Sequence, residues 1–535
     1  MERISWRGRG LLGVALVQGV GGLASSGAPV GHPRGQAAHR LAGADAPTVW
    51  SEFGALARET GAVNLGQGFP DWAPPQFVLE AGMQAMSRNC HQYTRTAGHP
   101  PLTSVLARRY SAHLERQIDP TAEIAVTVGA SQALFLTLQA LVNPGDEVLV
   151  IEPTFDLYYG QIRVAGATAV GVPMDLDAAS GEWHLDMARL DAAVTARTRV
   201  LILNSPHNPT GKVFSRDEML ALADFVRAHP RLLVISDEVY KYTVHGHGSS
   251  HVHFAALPAM YDRTVTVSSA GERACASSIV LARARALTRR AIRRRGRYAW
   301  RPGKTFSVTG WQVGWAVGPP ALIAPMQAYL PLAQFCVATP LQEALSLALD
   351  AADRPLFALG GEQVRTLTGD AIDGAARADG APLVDYYSWR RAQYARKREA
   401  LADALSAGGI RPLPCAGGFF TMGETSSISV PDEYMRASTA AAPSMRRDWA
   451  LCRYLAIEHG VLLIPASPFF SREEHERGAA LVRVAFCKTD ETLERAAERL
   501  GTFGSAHAPA AAAQLMAARA AVRLSLIHIS EPTRR

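Results

Sequence analysis

Four short stretches of this sequence carry residues that could do chemistry together. Gly303-Lys304-Thr305-Phe306-Ser307 sets a lysine before small and hydroxyl residues and runs on through Val308-Thr309 to Gly310-Trp311-Gln312-Val313-Gly314-Trp315. A lysine whose pKa is lowered by burial and a neighbouring cation can form an exchangeable imine with an aldehyde and then act as a base. For the tripeptide alone, a surface lysine before a Gly-rich turn is the competing reading. Asn204-Ser205-Pro206-His207-Asn208-Pro209-Thr210-Gly211 follows the apolar run Val200 to Leu203, and Asp237-Glu238-Val239-Tyr240 follows Leu232 to Ser236. A carboxylate at the carboxyl end of a parallel strand stands where open α/β sheets bind ligands, although a buried aspartate can also be structural. Finally, Arg483 interrupts the apolar run Leu481 to Cys487. A lone arginine in a strand is usually a solvated edge, but inside an apolar run it needs an anionic partner.

The elements that must position these residues read as alternating strands and helices. Ile124 to Val128 predicts a strand, Gly129-Ala130-Ser131-Gln132 a turn, and Ala133 to Val142 a helix. A helix start opening on such a turn offers free N–H groups to a phosphate, with ordinary capping by Ser131 as the alternative. Val148 to Glu152 and Val265 to Ser269 predict further strands, and Tyr387 to Ala407 a helix leading into a second sheet that starts at Pro414 to Thr421. This alternation predicts an α/β architecture with a mainly parallel sheet.

Taken together, these motifs resemble the cofactor-binding segments of fold-type I pyridoxal phosphate (PLP) enzymes, closest to the kynurenine aminotransferase, cysteine-S-conjugate β-lyase and glutamine transaminase K group. The resemblance runs from about His39 to about Phe503. It implies a large PLP domain with a mainly parallel sheet sandwiched by helices and a small α+β domain. Lys304 would hold PLP as an imine and move the substrate Cα proton. Asp237 would pair with the pyridine nitrogen, with Asn208 and Tyr240 at the phenolic oxygen O3′ and Phe155 stacked on the ring. Ser131, Gln132 and Ser269 would contact the phosphate, and Tyr93, in Gln92-Tyr93-Thr94-Arg95, would reach the phosphate of a neighbouring subunit. Trp50, Gly68 (in Gly66-Gln67-Gly68-Phe69-Pro70-Asp71), Asn208 and Phe335 would line the substrate pocket, and Arg483 would bind the α-carboxylate. The implied activity is transamination between an L-amino acid of kynurenine, glutamine, methionine or aromatic type and a 2-oxo acid, with a possible β-lyase side reaction, in a homodimer with a shared active site.

The chain also departs from that pattern. Residues 272 to 303 hold ten arginines and one acid, Glu272, between Ser268-Ser269-Ala270-Gly271 and Lys304. Removing them would join Gly271 directly to Lys304, as the family has it. Three readings of this stretch stay open: a retained intron or gene-model error, a tolerated extruded loop, and a basic arm for nucleic acid or membrane. If the last holds, a catalytically dead Arg-rich binding protein is the rival to the enzyme. A methionine or broad aromatic aminotransferase is the rival on the same scaffold. Gln312 stands where the family usually has a basic residue paired with the phosphate, and Cys336 replaces a histidine found in some relatives. Residues 356 to 381 read as a polar loop insertion.

Bulk composition sets the frame. The 535 residues, 48% hydrophobic and 19% charged, allow about two packed domains, and no apolar run is long enough to span a membrane. Six cysteines without metal-ligand spacing predict thiols, and no metal is expected. Taking the ten arginines and one acid from the chain's 55 basic and 48 acidic residues turns its net +7 into −2. The basicity therefore belongs to one segment, and neither nucleic acid nor membrane is expected as a partner of the rest. The expected organisation is a targeting-like or mispredicted segment at 1–38, an arm at 39–84, the PLP domain at 85–350, the small domain at 351–504 and a tail at 505–535 that resembles read-through. The compartment reads as the cytoplasm or an organelle.

Overall fold

The computed structural model describes residues 38–41, 46–246, 248–270, 306–354 and 385–507. Lys304, the segments 272–303 and 356–381, and most of the two termini lie outside these residues. By compactness the chain divides into Met1–Ala42, which includes a short 3-10 turn at His39–Leu41, and Gly43–Arg535, which holds all that follows.

Seven strands of Gly43–Arg535 form one sheet. They are β1 (Ile124–Val128), β2 (Glu147–Glu152), β3 (Thr168–Pro173), β4 (Thr198–Asn204), β5 (Leu233–Asp237), β6 (Thr264–Ser269) and β7 (Val313–Val317). Their spatial order is β1-β7-β6-β5-β4-β2-β3. The pairs β2–β3, β2–β4, β4–β5 and β5–β6 are parallel, while β7 runs antiparallel to both β1 and β6. Period-two alternation divides the sheet's side chains between two cores. Val148, Val150, Val200 and Ile202 enter one, and Leu149, Ile151, Leu201 and Leu203 enter the other. Burial on both faces is why these strands read as continuous apolar runs.

Four helices matter for the site: α1 (Val49–Thr60), α2 (Gly129–Leu141), α3 (Leu157–Val164) and α4 (Tyr386–Ala407). The start of α1 is set by a capping box in which the Thr48 and Ser51 side chains satisfy each other's backbone N–H groups. The start of α2 differs from the sequence expectation. The helix begins at Gly129, directly after β1, so the expected Gly-Ala-Ser-Gln turn is its first turn, and no side chain caps it. Gly129 makes this possible by taking φ +70°, a left-handed conformation open to glycine. Ser131 therefore lies inside the helix and is not its cap.

A second, antiparallel sheet consists of β8 (Arg411–Pro412), β9 (Phe420–Glu424), β10 (Ile464–Pro465) and β11 (Leu481–Ala485) in the order β8-β9-β11-β10. Its first long strand opens at Phe420, later than the expected Pro414. Strand β11 is interior, with Arg483 opposite Met422 on one side and Ile464 on the other, so Arg483 is not on a solvated edge.

Candidate active site

The strand ends bring the singled-out residues to one edge of the large sheet. Asn204 and Asp237, the last residues of β4 and β5, are register partners. Ser269 at the end of β6 pairs with Gly314 near the start of antiparallel β7. Ser131, Phe155, Asn208, Asp237, Tyr240 and Ser269 consequently line one cavity, outside the carboxyl ends of the parallel strands.

Hydrogen bonds fix the polar side of that cavity. The Tyr158 hydroxyl donates to Asp237 Oδ2 at 2.6 Å, and the Val239 N–H donates to Oδ1 at 3.3 Å. Burial first, and then the charge of Asp237, raises the pKa of both the Tyr158 and Tyr240 phenols, so both are proton donors at neutral pH. Asn204 acts as a brace. Its Nδ2 donates to the Asp237 carbonyl at 2.9 Å and its Oδ1 accepts the Asn208 N–H at 2.7 Å. The first asparagine of the motif thus builds the turn that presents the second.

Another part of the cavity wall is suited to an anion. Ala130 and Ser131, at the uncapped start of α2, stand there with Ser269. A Cβ on Gly314 would lie 2.3 Å from the Gly129 carbonyl carbon and 2.4 Å from the Ala130 nitrogen. Only glycine lets β7 pass this close to the helix start. Tested against the expected PLP, the donor set fits: N–H and hydroxyl groups for a phosphate, a carboxylate for a ring nitrogen, and an amide and a phenol for O3′. Gln132 is turned away, its Oε1 accepting the Val128 N–H at 2.6 Å, and it is not on the cavity wall.

Gln312 is on the wall, and its amide donates to the Thr309 carbonyl. Among the described lining residues there is no lysine or arginine. A charged hydrogen bond is worth roughly 1.5–3 kcal/mol, so Gln312→Arg is expected to tighten PLP binding about 10–100-fold. Fluorescence titration of the apoprotein measures this, and an unchanged constant would show that another cation already serves the phosphate.

Arg483 occupies the side facing the second sheet. It is only 1% exposed, with one guanidinium nitrogen donating to Asn208 Oδ1 at 3.2 Å and another to the Gly66 carbonyl at 2.9 Å. Its Nε is buried without a partner. The Trp50, Phe420 and Phe469 rings surround the guanidinium at 4.9, 4.0 and 4.9 Å from their centroids. Burial lowers its pKa to about 10, which leaves it charged at neutral pH. Trp50 is held by donating to Asp156 Oδ2 at 2.6 Å. Gly68 is needed for close approach, because a Cβ there would fall 2.0 Å from the Phe420 ring.

Besides Gln132, the expected residues Trp50, Gly68, Arg483, Tyr93 and Phe335 are not among those lining this cavity, and Arg483 reaches it through Asn208. Tyr93 is 79% and Phe335 58% exposed, and their rings pack together at 4.7 Å. Lys304 is outside the described residues, but Ala270 and Val308, on either side of its segment, both line the cavity. Strands β6 and β7 pair across that segment, with the Ala270 N–H donating to the Val313 carbonyl at 2.8 Å. The arginine-rich stretch therefore interrupts the chain without displacing Ser269 from the cavity wall. Sequence reasoning missed Tyr158, Asn204 and Asp156. Tyr158 was findable only as a polar residue in the first turn of the helix that follows Phe155. Asp156 was not, because its burial depends on Trp50, 106 positions away.

Comparison with known proteins accords with this geometry. The family profile described as Aminotransferase class I and II matches residues 60–276 and 302–500. The break between them falls within the arginine-rich stretch. The kynurenine--oxoglutarate transaminase of Dictyostelium discoideum is 35% identical over 468 residues, covering 85% of this chain and 93% of that protein. Among solved structures, Bna3p of Saccharomyces cerevisiae, a putative kynurenine aminotransferase, superposes with a TM-score of 0.72 at 27% identity, covering 88% of this chain and 100% of the other. YbdL of Escherichia coli, described with a methionine aminotransferase function, gives 0.67 at 28% identity, covering 87% and 99%.

Proposed function

Because the chain belongs to the class I and II aminotransferase family, and is a PLP-dependent enzyme moving amino groups between amino acids and 2-oxo acids, we propose that its donors carry aromatic or long uncharged side chains. Kynurenine, glutamine, methionine and aromatic amino acids are the types meant. The observation that carries this is the setting of Arg483: a buried guanidinium, suited to a carboxylate, enclosed by Trp50, Phe420 and Phe469. An α-carboxylate on the arginine would leave the donor's side chain among aromatic rings. The names of the relatives, which include kynurenine and methionine enzymes, support the same range.

The roles follow from the cavity. Bound PLP supplies an electron-withdrawing ring that stabilises negative charge at the substrate Cα. Asp237 would hold the ring nitrogen protonated, with Tyr158 and Val239 keeping the carboxylate oriented. Asn208 and Tyr240 would donate to O3′, and Phe155 would stack on the ring. Ser131, Ser269 and the start of α2 would hold the phosphate. Gln132 would act only through its backbone. Lys304 would carry the cofactor and take the Cα proton. A good leaving group at Cβ would depart once that proton is gone, which supports a cysteine-S-conjugate β-lyase side activity. The exposure of Tyr93 and Phe335 supports a homodimer in which these rings reach the partner's cavity. The division into a PLP domain near 85–350 and a small domain near 351–504, joined by the arm 39–84, belongs to the same proposal.

Lys304→Ala tests it. The variant should lose both the lysine-dependent visible absorbance of added PLP and transamination with every donor in a panel of kynurenine, glutamine, methionine and phenylalanine. Retained transamination in this variant would sink the mechanism. A wild-type preference for aspartate over the whole panel would sink the substrate class alone.

A further inference from the structure

Outside the cofactor cavity, just beyond Asp237, lies a buried cluster that the transamination chemistry does not use. We propose that Glu238, His251 and His253 form a binding site for one divalent transition-metal ion, of which zinc is the natural probe. The three potential ligand atoms all lie within 4.8 Å of one another. Glu238 Oε2 is 2.7 Å from His253 Nδ1 and 3.2 Å from His251 Nε2. Two ligands of a tetrahedral ion with bonds of about 2.0–2.1 Å sit about 3.3 Å apart, so the Glu238–His251 pair is at ligand spacing and the Glu238–His253 hydrogen bond would open by about half an ångström to admit the ion.

The state of His251 points to a ligand. Its side chain is 8% exposed, yet neither ring nitrogen has a hydrogen-bond partner. Its Nε2 lies 3.2 Å from Glu238 Oε2, an ion-pair contact that does not satisfy the ring as a hydrogen bond would. A buried polar group left this way is destabilising, and a metal bond would remove that cost. The second described cluster of this kind, Cys90, His99 and Glu343, shows the contrast. There both ring nitrogens of His99 are hydrogen-bonded, to Thr94 at 3.0 Å and Glu343 at 3.1 Å, so no ring nitrogen is left without a partner.

The surroundings are those of a two-histidine, one-carboxylate set. The Ser236 hydroxyl donates to the other oxygen of Glu238 at 3.1 Å and so orients the carboxylate. One neighbour acts against the ion: the Lys241 amine stands 4.0 Å from the same Glu238 oxygen while donating to the Tyr110 hydroxyl at 2.8 Å. Two cations repel across that distance, so the lysine charge weakens metal binding. The cysteine spacing searched in the sequence could not reveal this site, since its signal is His251-Val252-His253 joined to a glutamate in the strand-end motif.

The experiment is equilibrium dialysis of tag-free, PLP-loaded enzyme against zinc, read by metal analysis, with the thermal midpoint measured in parallel. One zinc per subunit is expected, with a midpoint that rises with zinc concentration. His251→Gln should abolish stoichiometric uptake, Ser236→Ala should weaken it about 10–100-fold, and Lys241→Met should tighten it. Failure of the wild type to take up zinc overturns the proposal without recourse to any variant. Uptake unchanged in His251→Gln, or no tighter in Lys241→Met, overturns it as well. Transamination is not the readout, so the outcome is independent of the donor class.

Discussion

Asp237→Asn is expected to lower kcat for transamination by about 10²–10³-fold, the scale seen when one preorganised electrostatic partner is removed from a reacting centre. Asparagine keeps the size and an oxygen that can accept from Tyr158 or Val239, so packing at the end of β5 survives. What disappears is the negative charge that would hold the pyridine nitrogen protonated. The loss should therefore appear in kcat, with PLP content and the thermal midpoint close to wild type. Single-turnover kinetics beside an absorbance measurement of bound cofactor separate the two. A fully loaded variant with wild-type kcat would show that the charge is not used.

The second large effect belongs to Arg483. Arg483→Lys should reduce kcat/KM for amino acids by about 30- to several-thousand-fold, from the 2–5 kcal/mol that a buried, hydrogen-bonded charge pair carries. Lysine keeps the charge but cannot serve Asn208, the Gly66 carbonyl and a bidentate carboxylate together. The change should lie mainly in KM. An amine lacking the α-carboxylate provides the control: wild type and variant should turn it over alike. If the variant loses activity toward both compounds equally, Arg483 supports the fold and does not read the carboxylate. Part of any loss of stability would come from Asp156, whose buried carboxyl lies in the field of this guanidinium.

Much of the site was legible because its residues sit at element boundaries that sequence marks strongly. The apolar runs before Asn204, Asp237 and Ser269 are buried on both faces of the sheet, so their ends could be read to within a residue or two. Parallel strands then force those ends to one edge. The start of α2 was misplaced because a glycine at positive φ turns a strand into a helix without spending residues on a loop. Such a turn leaves no polar spacer to read. Gln132 was overassigned for a related reason: adjacency to Ser131 in sequence put it near the phosphate corner, while the helix turned its amide back to Val128.

The order of residues alone sets which chemistry is present: a lysine with its Gly-Trp tail, the N-x-P-x-N-P motif, an aspartate closing a strand and an arginine in an apolar run. It also sets the order of the strands along the chain, since each is a local hydrophobic pattern. How distant segments complete one another follows from the packing of the fold. Trp50 is fixed by Asp156, Arg483 reaches across to Asn208 and Gly66, and Tyr158 braces Asp237. The pairing of β6 with β7 across the arginine-rich stretch and the convergence of Glu238 with His251 and His253 belong with these. The physical reason is common to all of them. A buried polar or charged group must find a partner wherever the packing of apolar faces brings one, and that partner has no fixed spacing in the chain.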